Sequence, residues 1–225
     1  MRNTVFIGTW LALVVNSALS VSVTAQEIQV EGSVDMKPFE ASGVTLSTIY
    51  NVDQEFSDKH GVEVPAPFSL AAPRRESEKI LAQAKPSGGG PIKIYFTTDD
   101  AEKRIFSSLQ IITYTMKTDD PQKRLEVGQH LAMEVLKGLG ATEDTRVNVS
   151  RNVTISGMPA AEVVGNFENK DGDRLLVRLV ALAKPETPNG IIGIAVGHPR
   201  QGKINEVEDI YATSASLTFD TATFK

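Results

Sequence analysis

The chain has 225 residues, 41% of them hydrophobic and 23% charged, with a formal net charge of −5. That length suffices for one domain with a proper core, or one domain plus an extension. The acidic balance, with Lys and Arg scattered, argues against nucleic acid and against anionic membrane surfaces as partners. There is no cysteine, which excludes disulfides, thiol catalysis, and cysteine-ligated zinc or iron–sulfur centres.

Arg2 is the only charged residue before Glu27. An apolar run over 5–15 follows, then a small and polar stretch ending Val23-Thr24-Ala25. This is the three-part pattern of a signal peptide, 1–25, with cleavage expected after Ala25. The apolar run is shorter than the ~20 residues that a membrane span needs, so the mature chain is expected to have no transmembrane segment. No cysteine is present to carry a lipoprotein anchor. A cysteine-free exported chain suits a bacterial periplasm, so the expected location is periplasmic or secreted.

Residues 26–60 read as an N-terminal segment, mobile over 26–43. Val44, Leu46 and Ile49 suggest an edge strand, and 53–60 reads as solvated surface. A single α+β domain is expected over 61–225. Val62, Val64, Phe68 and Leu70 alternate around Pro65 and Pro67, which places that strand at a sheet edge. Residues 74–85 have helix-forming composition between two prolines, with Ile80, Leu81 and Ala84 as the contact face. Pro86-Ser87-Gly88-Gly89-Gly90-Pro91 reads as a flexible connection; it lacks the strand before and the Lys-Ser/Thr after that a phosphate loop requires.

Residues 92–97 read as a strand, Asp99-Asp100 as a turn and 104–116 as the returning strand. The apolar register there shifts from Ile105, Leu109, Ile111 to Ile112, Tyr114, Met116, which suggests a bulge near Ile111-Ile112. The strongest helix follows, over 121–138. Asp120 supplies an N-cap carboxylate and Pro121 the first helical position. Leu125, Gly128, Ala132, Val135, Leu136 and Leu139 share one face, and Gly138 and Gly140 provide the stop. Residues 145–155 alternate apolar and polar, with Arg151 alone interrupting the apolar side. A strand with one wet face belongs towards a sheet edge.

Gly157-Met158-Pro159 turns the chain into three further strands, 160–167, 174–183 and 191–196, joined by turns at Asp171-Gly172 and Asn189-Gly190. The last two are apolar on both faces, Arg178 excepted, so they need cover on both sides. One cover is the helix at 121–138. The other is expected from a helix over 203–215, with 216–219 closing the fold as a strand or tail. Tight turns between neighbours make the sheet mainly antiparallel, an α+β architecture.

Ser156-Gly157-Met158-Pro159-Ala160-Ala161-Glu162 resembles the G-x-P-A turn and strand of PsbP-like domains. The hairpin around Asp171-Gly172, the following strands and Ser216-Leu217-Thr218-Phe219 extend the resemblance over about 91–219. The chain is also similar to the DcrB-like periplasmic proteins. This implies an α/β/α sandwich, with helices on both faces of an antiparallel sheet, and non-enzymatic accessory or assembly roles at membrane complexes. The motif carries no catalytic residue.

Candidate chemistry is sparse. Glu126, His130 and Glu134 recur at four-residue spacing on the exposed face of the long helix, within reach of one divalent ion; ion pairing on a solvated face explains them as well. His198 opens a loop and, with Arg200 and Lys203, suits an anion at a helix start; a polar helix-capping loop is the plainer account. His60 stands apart. Asp99-Asp100, Asp119-Asp120 and Glu143-Asp144 fall at turns or a helix start, and Asn169, Asp171 and Asp173 suit a hairpin better than half of a calcium loop. The Asn148 and Asn152 sequons read as chance. No catalytic, cofactor or metal residue is assigned and no cofactor is expected. The chain thus reads as an exported, non-enzymatic accessory or binding protein of the bacterial envelope with a protein partner there. The alternative is a periplasmic hydrolase or metal-binding protein whose site the sequence does not display.

Overall fold

The computed structural model describes residues 46–73, 80–98, 104–140, 145–199 and 206–225. The expectations for 1–25, for 26–43, for Asp99-Asp100, for Glu143-Asp144 and for Arg200 and Lys203 lie outside them.

The fold is α+β, with two antiparallel sheets. The larger has seven strands in the order β3-β4-β5-β9-β8-β7-β6. These are β3 (Ile80–Ser87), β4 (Gly90–Thr98), β5 (Ile105–Thr115), β6 (Arg146–Ile155), β7 (Met158–Glu168), β8 (Arg174–Ala183) and β9 (Asn189–Gly197). The smaller sheet has the order β1-β2-β10, from β1 (Leu46–Val52), β2 (Phe68–Pro73) and β10 (Thr223–Phe224). The meander read from the sequence is present: β6, β7, β8 and β9 are successive antiparallel neighbours, and β6 lies at the sheet edge as its wet face requires.

Both faces of the large sheet are covered, which is why β8 and β9 carry apolar residues on both sides, with Arg178 the interior exception. On one face Ala161, Val163, Val177, Leu179, Ile192 and Ile194 pack beneath α2 (Pro121–Leu139). That helix starts where the sequence places it: Asp120 accepts hydrogen bonds from the Gln122 and Lys123 N–H groups, and Pro121 opens the first turn. On the other face Ile92, Ile94, Phe96, Leu109 and Ile111 pack against Tyr50, Val52, Phe68 and Leu70 of the small sheet. The helical cover of this face is slight. It consists of a 3-10 helix, Val207–Ala212, and the short α3 (Ser214–Phe219).

Several local expectations give way to tertiary context. Residues 53–60 are not plain surface. Asp53 caps α1 (Gln54–His60), Gly61 closes it in the left-handed conformation, and Phe56 is buried. β2 is the middle strand of its sheet, because Pro65 and Pro67 precede it and interrupt no ladder. Of the helix expected over 74–85, residues 74–79 lie outside the described residues, and 80–85 belong instead to the strand Ile80–Ser87. Its helix formers alternate, Ala82 and Ala84 buried and Gln83 exposed, and pairing with β4 along the whole hairpin outweighs a propensity worth tenths of a kcal/mol per residue. The glycine run forms a tight hairpin turn, with Ser87 opposite Gly90 and Gly88-Gly89 between them.

The β5 bulge lies at Phe106, where Phe96 and Thr97 pair with Ser107 and Ile105. Pairing through Ile111 and Ile112 is regular. The apolar shift there marks a change of cover, since Leu109 and Ile111 face the small sheet while Ile112 and Tyr114 face the α2 side. The second meander turn falls at residues 185–188, and Asn189-Gly190 already belongs to β9. Gly190 serves close approach instead: a Cβ there would lie 2.4 Å from the Leu182 carbonyl oxygen and 2.4 Å from the Tyr114 ring. Residues 216–219 are helical rather than a strand or tail, and the expected helix over 203–215 appears, among the described residues, as the 3-10 helix Val207–Ala212 and the first two residues of α3.

Candidate functional site

Three charged residues break the apolar pattern of adjacent strands, and the fold brings them together. Arg151 on β6 lies directly opposite Glu162 on β7. Arg178 on β8 pairs with Val164, one step diagonal from Glu162. The Glu162 side chain is fully buried, with 0% of its surface exposed. One of its oxygens accepts from Arg178 Nε at 2.7 Å; the other accepts from Arg151 Nε at 2.7 Å and from the Tyr211 hydroxyl at 3.1 Å. Arg178 also lies 2.8 Å from Asp220, just beyond α3, at an angle that makes the contact an ion pair rather than a hydrogen bond. The Tyr211 ring stacks near both guanidiniums, 5.1 Å from Arg178 and 5.7 Å from Arg151.

Burial alone would raise the Glu162 carboxyl, but hydrogen bonds and charge from Arg178 and then Arg151 outweigh it and hold the group below its ordinary range. Burial raises Asp220, with Arg178 only partly opposing. Burial raises Tyr211 as well, and the neighbouring Glu162 charge adds to it. Two carboxylates and two guanidiniums make the cluster electrically balanced. A carboxylate held ionised and engaged by three donors is a poor proton donor, so this chemistry joins β6, β7, β8 and the C-terminal helices. Its outward product is Arg151, whose side chain stays 54% exposed while its guanidinium is fixed by Glu162 and Tyr211.

Arg151 stands on an open edge. The outer side of β6 has no strand partner among the described residues. Val147 on this strand is the large hydrophobic residue left most exposed among the described residues, at 47%. The ladder to β7 slips between Val147 and Val149, the mark of a bulge at Asn148.

The residues singled out by spacing are not gathered. His130 and Glu126 are exposed on α2, and Glu134 accepts from Lys137 at 2.9 Å. Among the described residues no three His, Asp or Glu side chains converge as a metal site would require. Titration of the exported chain with Zn²⁺ is expected to show no stoichiometric binding; a tight site abolished by His130→Ala would contradict this. The His198 side chain is mostly buried, and the residue's backbone N–H donates to the Phe106 carbonyl at 3.0 Å. Burial lowers its pKa, Asp173 opposes and Lys93 adds. A histidine held neutral gives an anion little attraction. Asn169 does build the hairpin: its side chain accepts from the Asp171 and Asp173 N–H groups at 3.0 and 2.8 Å.

Two arrangements carried no signal in the spacing. Arg124, buried on α2, donates to the carbonyls of Lys184, Thr187 and Asn189 and so ties down the β8–β9 loop. Lys85 and Lys93 place their ammonium groups 4.9 and 5.2 Å from the Tyr95 ring. The Glu162 cluster did have a signal, because Arg151 and Arg178 interrupt apolar patterns and Glu162 sits inside an apolar strand.

No family model and no curated protein matches the chain. Solved structures similar to it include the following two. LpqN of Mycobacterium tuberculosis, described as involved in cell envelope biogenesis, shares 15% identity at a TM-score of 0.49, over 72% of this chain and 86% of that one. A Pseudomonas aeruginosa protein of unknown function, PA94, described as a putative regulator, shares 16% identity at a TM-score of 0.32, over 59% and 78%. No helix among the described residues is long and apolar enough to cross a membrane.

Proposed function

We propose that this chain is an exported protein of the bacterial cell envelope that acts by binding a protein partner, as an accessory factor rather than an enzyme. The N-terminal pattern ending at Ala25 and the lack of cysteine support export to the periplasm. The PsbP-like reading of the Ser156-to-Glu162 stretch agrees with an accessory role. The observation that carries binding is the ten-residue β6 edge, which has no outer strand partner among the described residues and bears an arginine locked in place by a buried carboxylate. Buried chemistry spent on presenting one exposed side chain is what a recognition surface needs.

A photo-crosslinking residue at position 147, with position 126 on α2 as control, tests this in living cells. Expected are an envelope-localised chain beginning at Gln26 and discrete protein adducts from position 147 alone. A chain that stays in the cytosol at full mass would reverse the reading. So would hydrolysis of a generic ester or phosphate ester by a chain that gives no adduct.

A further inference from the structure

We infer that the β6 edge takes its partner by strand addition, and that the partner is an extended acidic protein segment with apolar residues two positions either side of a carboxylate. The inference rests on the binding role proposed above and specifies its chemistry.

An edge strand offers a row of main-chain donors and acceptors to any extended chain. Side chains then decide which chain is accepted. On the face of β6 that looks towards Tyr211, Val149, Arg151 and Val153 succeed one another at two-residue spacing. Opposite them on β7 stand Val164, Glu162 and Ala160. Val149 packs on the Val164, Leu176 and Ile210 cluster, and Val153 on the main core. Both valines are half-buried, with area still open at the edge. An incoming strand sets its own residues directly opposite these, where cross-strand pairs interact most strongly. Apolar residues extend the two hydrophobic clusters, and a carboxylate between them meets Arg151.

Charge selects the sign. Within Arg146–Ile155 the ionisable residues are Arg146 and Arg151, with no acid. Glu162 is already shared by two arginines and a tyrosine, so it does not hold a basic side chain as well. Arg151 also disfavours a second copy of this chain, since antiparallel self-pairing about Ser150 brings the two copies of Arg151 to diagonal positions. The bulge at Asn148 twists the edge and further discourages sheet-to-sheet growth.

The test uses the exported chain and a fluorescent peptide, Ser-Val-Thr-Val-Thr-Glu-Thr-Val-Ser. Controls carry Lys or Gln for the Glu, or Pro for the two flanking Thr. The acidic peptide is expected to bind about tenfold more tightly than the Lys peptide, less so in high salt, as exposed ion pairs do. The Pro peptide should not bind. Hydrogen exchange should slow over Arg146–Ile155 and not over Ile80–Ser87, the opposite edge of the sheet. Arg146→Glu, which leaves the buried cluster intact, should narrow the preference for acid about threefold or more. Equal affinity for the Glu and Lys peptides, or protection elsewhere on the molecule, overturns the inference. So does a concentration-dependent dimer of the chain alone that Val147→Lys abolishes. If crosslinks at position 147 capture an envelope protein while no acidic peptide binds, only the strand-addition chemistry fails. Failure of both removes the binding role itself.

Discussion

Replacing Glu162 with Gln is expected to destabilise the fold by about 3–5 kcal/mol, because it leaves the guanidinium of Arg178 buried without its main partner. Arg178 is 5% exposed and Glu162 not at all, so water cannot take over the lost interaction. Asp220 remains 2.8 Å from Arg178 and limits the damage. Arg151 loses its anchor too, but half its side chain already lies in solvent, where an ion pair contributes little. Urea unfolding read by circular dichroism measures the loss. Removing both charges at once, with Glu162→Leu and Arg178→Leu together, should restore part of it, since two apolar side chains fill the space between β7, β8 and the 3-10 helix with no buried guanidinium, while Asp220 loses its partner and limits the recovery. A Glu162→Gln variant within about 1 kcal/mol of the parent would show that the cluster is not what joins these strands.

The pH dependence has two opposing parts. The carboxyl of Glu162 is lowered in the folded chain from its ordinary 4.5. Its contribution to stability is complete above that value and disappears as the pH falls through the lowered one. Asp220 is raised from 3.8, so the folded chain takes up its proton before the unfolded chain does. That term costs stability at neutral pH and is relieved as the pH falls through the raised value. Asp220→Asn should therefore be much milder than Glu162→Gln at pH 7, and should make acid unfolding steeper. Unfolding midpoints in urea from pH 7 down to pH 3 follow both signs.

What the sequence displayed and what it hid divide along physical lines. The long helix was legible because its cap, its proline and its apolar face all agree. β8 was legible to the residue because two-sided burial leaves no other reading of its ten positions. Ile80–Ser87 was not, since alanine, glutamine and lysine favour a helix, and only the neighbouring strand, through the Gly88-Gly89 turn, makes it extended. Asn189-Gly190 misled because the pair usually forms a hairpin turn, whereas here the glycine is needed for contact with Tyr114. As for the site, both arginines stood out as interruptions of apolar strands. That Glu162 joins them depends on register, which sets β6, β7 and β8 side by side and no short window of sequence contains. Spacing along α2 drew attention to Glu126, His130 and Glu134, but four-residue spacing is equally that of ion pairs on an exposed helix.

The other large effect is expected where α3 meets the large sheet at a glycine. Gly193 lies on β9 between Ile111 and Val180, and the ring of Phe219 from α3 rests directly on it. A Cβ at this position would lie 2.2 Å from Phe219 Cδ2 and 2.3 Å from Cε2. These are distances at which something must move. The ring is 2% exposed and enclosed by the core that joins the two sheets, so it has little room to yield. Gly193→Ala should therefore destabilise by about 1–3 kcal/mol through overpacking, even though alanine suits a strand at least as well as glycine. Phe219→Ala, which instead empties the space, should cost about 3–5 kcal/mol. The two changes address one contact, so they should not add. Gly193→Ala combined with Phe219→Leu should be more stable than the sum of the two single losses allows, because the added methyl group occupies part of the volume the ring gives up. Strict additivity in thermal or urea unfolding would mean that the ring does not rest on the strand. Since α3 leads straight into Asp220, loosening Phe219 should also let water reach that carboxyl, and Phe219→Ala should flatten the Asp220 part of the acid response, whose first cause is burial.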